Sequence, residues 1–164
     1  MKMLLGSCLI IVCMLFGSNL PAQDSGSTFK KTGFYNVMAG KSADAINQQL
    51  DLLKNLAEPE KTAYEGALLM KKAGVTGGPK KKLDLFKAGH KKLEAALRED
   101  SSNVEFRFLR LMIQENAPGI LGYKGELEKD KLYIKNNFKK LPPVVQQAVR
   151  DYSKESRILK QADL

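Results

Sequence analysis

His90 and Glu94 stand four residues apart in "LFKAGHKKLEAAL", a spacing that stacks imidazole and carboxylate on one face of a helix. Such a pair can pass a proton, but acid–base catalysis also needs a nucleophile and a pocket, and the sequence marks neither. His90 is the sole histidine, so it is expected as a packed or surface side chain. No transition-metal site is expected, because carboxylates would have to supply its other ligands. "AGKS" at 39–42 ends like a phosphate-binding loop, yet Tyr35 occupies the position that mechanism reserves for glycine. "GVTGGPKKK" offers glycines and lysines with no hydroxyl after them to hold magnesium. The chain therefore reads as non-catalytic, with no cofactor.

Its charged and polar residues suggest binding instead. Lys80, Lys81 and Lys82 open a long helix, and Lys87, Lys91 and Lys92 continue along it. Lysines at a helix start oppose the helix dipole, so these six form a candidate anion-binding surface beside the plainer reading of a solvated face. In "EFRFLRLMIQENAPGILGY", arginines alternate with phenylalanines as they would on a base-stacking strand. At 100° per residue the stretch separates differently. Phe106, Phe108, Leu109, Leu111, Met112 and Ile113 cover a broad buried arc, and Arg107, Arg110 and Gln114 share one narrow exposed strip. Base stacking needs both on one accessible face, so nucleic acid is not an expected partner. The strip is a candidate partner-facing stripe, or a face ion-paired to a neighbouring helix. Glu115 and Asn116, beside the apolar arc, either bond the amides of the following loop or wall a small polar pocket with Tyr123.

The elements that carry these residues are helices. Ser42 caps "ADAINQQLDLLKNL", Pro59 starts a helix that Gly74 ends, and a third runs from about Lys80 to Asp100. Asn103 caps a fourth that ends near Pro118. A fifth spans about 126–139, with Glu126, Glu128 and Asp130 complementing its dipole. Pro142-Pro143 begin a sixth that includes Val145, Val149, Tyr152 and Leu159. No stretch alternates with the period of a half-buried strand. The expected fold is all-α, a single domain of about six helices in stacked antiparallel hairpins, with Gly66 and Ala67 allowing a close helix approach.

The first 22 residues form a signal-peptide pattern: Lys2, an apolar run from Leu9 to Phe16, then Gly17, Ser18, Asn19, Pro21 and Ala22. That run is too short to span a bilayer, so no transmembrane segment is expected in the mature chain. Residues 23–41 read as a flexible N-terminal segment with a possible short helix, and 42–164 as the helical domain. Both cysteines, Cys8 and Cys13, lie in the leader, so the exported chain has no thiol chemistry. Lys2 is the leader's one charge, and its removal takes the net charge from +9 to +8. Outside the cytoplasm, in the periplasm with secretion as the alternative, the expected acidic partners are envelope lipids, polysaccharides or proteins.

"LEAALREDSSNVEFRF" resembles the junction between two tetratricopeptide-type (TPR-type) helical pairs. Ala96-Leu97, Asp100 and Asn103 match that pattern, with Ser101 where a proline is expected. Gly66 takes a small-residue position of a first helix, and Gly89 and Leu93 take positions of a second. The chain is also similar to exported bacterial proteins of unassigned function. The TPR-like, α-solenoid-like resemblance implies a scaffolding module that binds another protein or a peptide in a helical groove. The alternative expectation is envelope association through the basic helix to anionic lipid or polysaccharide.

Overall fold

The computed structural model describes residues 28–164, so the leader lies outside the described residues. These residues form an all-helical body of seven α-helices: α1 Lys31–Ala39, α2 Ala43–Leu52, α3 Glu60–Val75, α4 Pro79–Glu99, α5 Val104–Asn116, α6 Leu127–Asn137 and α7 Pro143–Ser153. Their starts follow from local chemistry. The Ser42 hydroxyl accepts from the Ala45 amide at 3.2 Å and Asn103 Oδ1 from the Phe106 amide at 3.1 Å, each pairing a donor the first turn leaves free. Gly78, with φ of 81°, turns the chain tightly before Pro79 at the start of α4.

The short N-terminal helix is present, and two boundaries differ from the sequence reading. The short helix expected near the N-terminus is α1, which drives Phe34 into the core and packs on α2 and α7. Gly74 lies within the last turn of α3 and does not end it. α7 stops at Ser153, and Leu159 is buried beyond it by a separate turn in which the Ser156 hydroxyl accepts from the Ile158 and Leu159 amides.

The closest helix pair is α3 against α4, joined by a three-residue turn, with α5 on α6 next and α7 against α1. Gly66 and Gly89 meet at the crossing. A Cβ on Gly66 would lie 2.6 Å from the Leu93 nitrogen, and one on Gly89 would lie 2.5 Å from the Gly66 oxygen. Backbone therefore rests on backbone there, as the expected close approach requires. α5 packs on α6 and touches α3 and α4, so it is enclosed on several sides. Phe106, Phe108, Leu109 and Leu111 are buried, each contributing about 1.5–3 kcal/mol of apolar transfer. Aromatic rings extend the core toward the N-terminus, with Phe34 at 4.7 Å from Tyr64 and Tyr35 at 5.9 Å from Phe108.

Candidate functional site

An open cleft of about 530 Å³ lies between α4 and the α5–α6 connection. α4 supplies one wall, because His90, Lys91, Glu94 and Arg98 fall within one face at helical spacing. The connection supplies the other through Tyr123, which follows a turn that Gly122 makes with a left-handed φ of 62°. Gln114, from α5, forms the floor.

A charge network fixes these walls. Tyr123 donates its hydroxyl to Glu94 Oε1 at 2.6 Å, and Arg110 Nη1 reaches Glu94 Oε2 at 3.1 Å. Arg110 also grips Asp130 with two bonds, Nε to Oδ2 at 2.6 Å and Nη2 to Oδ1 at 2.8 Å. Arg107 adds a third bond to Asp130 at 2.9 Å, lays its guanidinium 4.3 Å from the Tyr133 ring and donates to the Ser101 carbonyl. Burial alone would lower the Arg110 pKa, but the Asp130 and Glu94 carboxylates outweigh it and raise it further. Burial and the Glu94 carboxylate both push the Tyr123 hydroxyl up, so it remains a proton donor at any physiological pH. His90 packs edge-on against Tyr123 at 4.4 Å and beside Phe86. The two Glu94 oxygens accept from Tyr123 and Arg110, and His90 meets the Tyr123 and Phe86 rings.

Arg107, Arg110 and Gln114 do not form an exposed stripe. Arg110 is 7% exposed and Gln114 1%, and the Arg107 side chain is nearly as covered. The wheel located their shared strip correctly, but α6 and α4 cover it with Asp130 and Glu94. Asp130, read as a dipole-complementing acid, is fully buried. Its sequence signal was present: Asp130 shares a face with Leu127 and Ile134, and both pack into the core.

Glu115, Asn116 and Tyr123 do not wall one pocket either. Glu115 accepts from the Tyr152 hydroxyl, the Ser156 hydroxyl and the Arg157 amide, each at 2.6 Å. It therefore ties down the segment after α7 and not the loop after α5. Burial raises its pKa, and those bonds outweigh burial and leave it below the ordinary carboxylate value. Asn116 donates to the Met112 carbonyl at 2.9 Å and to the Tyr152 hydroxyl at 3.3 Å, while Tyr123 belongs to the cleft. A second buried carboxylate went unassigned in the sequence. Glu105 accepts from Tyr35 at 2.8 Å, Tyr64 at 2.7 Å and Lys31 at 2.7 Å, joining α1, α3 and α5.

Lys80, Lys87 and Lys91 recur on one face of α4, whereas Lys82 lies on the opposite side and Lys92 turns to α3. Residues 77–84 are all exposed, so Lys80, Lys81 and Lys82 project at the end of the helix, with Lys80 paired to Asp84 at 2.8 Å. Lys87 is exposed, Lys91 stands at the cleft rim, and Lys92 pairs with Glu65 of α3 at 3.1 Å. Among the described residues no group of three His, Asp or Glu side chains is placed to hold a metal ion, and no helix is long and apolar enough to cross a membrane. No family model, curated protein or solved structure matches the chain.

Proposed function

We propose that this chain is an exported, non-catalytic interaction module of the bacterial envelope, in which TPR-like hairpins hold a cleft for a protein or peptide partner. The cleft supports this reading most directly. Its walls are fixed by the Tyr123–Glu94–Arg110–Asp130 network, while Lys91 and Arg98 on its rim make no ion pair among the described residues. A pre-organised wall with unpaired rim charges suits recognition, since little order remains to be imposed on binding.

A second reading rests on a different observation. Lys81 and Lys82 are exposed at the projecting end of α4 and are unpaired among the described residues, so they could hold anionic lipid or polysaccharide. Recovery of the tagged chain from residue 23, with whatever it retains from its native envelope, separates the two. A defined protein retained at high salt supports the module. Bulk envelope material released by moderate salt supports the lysines, because screening weakens exposed charge pairs.

A further inference from the structure

We infer that the projecting half of α4 and the tip of the α5–α6 connection dock together on an anionic lipid bilayer, with Ile120 entering the headgroup layer and Leu83 lying against it; this rests on the exposed-lysine reading and names lipid as the partner. The apolar side chains provide the first observation. Among the described residues three large apolar side chains are exposed: Ile120 at 95%, Leu132 at 59% and Leu83 at 39%. Ile120 sits in a closed turn, where the Leu121 amide donates to the Pro118 carbonyl and the Gly122 amide to the Gly119 carbonyl, each at 3.0 Å. Leu121 packs on the core, so the turn is held in place while Ile120 projects from it. Tyr123 seats the same connection on α4, 5.7 Å from the Phe86 ring and 4.4 Å from the His90 ring. Three residues of chain reach at most about 10 Å, so Ile120 stands near Phe86, one turn along α4 from Leu83.

The charges provide the second observation. Lys80 and Lys87 share the face of Leu83, three residues before it and four after. Lys87 is exposed, as is Lys124 four residues past Ile120, and neither has an ion pair among the described residues. The Lys80–Asp84 pair is exposed on both sides, so it holds Lys80 only weakly against an anionic surface. Leu132 lacks this setting: Lys129 and Lys135, three residues to either side of it, pair with Glu126 at 3.1 Å and Asp163 at 3.6 Å. An apolar tip inside a cationic rim matches a bilayer with anionic headgroups, where the tip leaves water for the acyl boundary and the lysines meet phosphates. A hydrated polysaccharide would meet the charges but give the tip nothing, so lipid is favoured over sugar. Neither signal anchors a protein firmly alone, and the two together give reversible, salt-sensitive attachment.

The test uses the chain from residue 23, which contains no tryptophan, so a single I120W or L132W substitution reports its own surroundings. Each is titrated with vesicles of phosphatidylcholine alone, with vesicles of equal parts phosphatidylcholine and phosphatidylglycerol, and with an oligogalacturonate. The expected result is a blue shift of I120W emission on the anionic vesicles only, with L132W unmoved. Binding read by vesicle flotation should weaken about tenfold in I120S and about tenfold in K87E/K124E. All four positions are exposed, so these variants should melt as wild type does. An unshifted I120W on vesicles that carry the chain, an equal shift of L132W, or wild-type flotation of I120S would each overturn the inference. Binding of the oligogalacturonate without the vesicles, or loss of vesicle binding in K81E/K82E with I120S unaffected, would sink the inference and leave the lysine reading standing. If neither anionic vesicles nor the oligogalacturonate bind the chain, both fall.

Discussion

At the residue scale, Asp130 has the most demanding position in the molecule. It is fully buried and accepts two bonds from Arg110 and one from Arg107. Breaking a buried pair costs about 3–5 kcal/mol, and the lower end applies here because Arg110 would keep Glu94 at 3.1 Å while Arg107 would lose its only carboxylate among the described residues. D130A is therefore expected to lose about 3 kcal/mol in denaturant unfolding, and a loss under 1 kcal/mol would mean water reaches the arginines freely. Glu115 gives a pH-dependent counterpart. Its folded pKa is depressed, so its contribution is present above the unfolded value of about 4.3 and fades as pH falls through the folded value. The melting-temperature gap between wild type and E115Q should be widest near neutral pH and close in acid. A gap independent of pH would remove the carboxylate's charge from the explanation.

These residue roles were only partly legible in the sequence. The helical wheel grouped Arg107, Arg110 and Gln114 correctly, because their common face is a local property of α5. It could not show that the face is covered, because the covering carboxylates come from Glu94 sixteen residues before Arg110 and Asp130 twenty residues after it. Glu115 was visible as a polar group near the apolar arc, but its partners lie past α7 at Ser156 and Arg157. Long-range pairing of this kind leaves no periodic signal. Asp130 did leave one, on a face shared with Leu127 and Ile134.

At the scale of elements, the α3–α4 crossing is where sequence and structure agree most closely. Gly66 beside Ala67 suggested a close approach, and Gly89 is its counterpart across the contact. Helix propensity alone would make alanine better than glycine by about 1 kcal/mol. Sterics reverse that sign at Gly89, where the added carbon would meet the Gly66 oxygen at 2.5 Å and the Met70 nitrogen at 2.9 Å. Backbone atoms cannot rotate aside as a side chain can. G89A should therefore destabilise by about 1–3 kcal/mol. Gly74 sits in the same hairpin with nothing within 4 Å of its added carbon, so G74A should stabilise by about 0.5–1 kcal/mol. Thermal melts of both variants check the pair, and matching signs would contradict the crossing geometry. Helix starts were legible because caps are local. Ends were less so: Gly74 resembles a stop signal but is carried through the last turn of α3.

At the scale of the whole molecule, the helical body keeps its two candidate binding features apart on one long helix. Lys80, Lys81 and Lys82 lie in the projecting first turns of α4, and Lys91 and Arg98 border the cleft about two and a half to five turns later. This separation makes the competing readings independent under mutation. Glu105, bonded to Lys31, Tyr35 and Tyr64, holds α1 to the body and lies outside both surfaces. The most direct measurement compares three tagged chains recovered from the native envelope at high salt: wild type, K91E/R98E and K80E/K81E/K82E. The account expects wild type and the triple variant to retain the same defined protein, and K91E/R98E to lose it. Retention by K91E/R98E with loss from the triple variant would contradict it and move the binding site to the tip of α4.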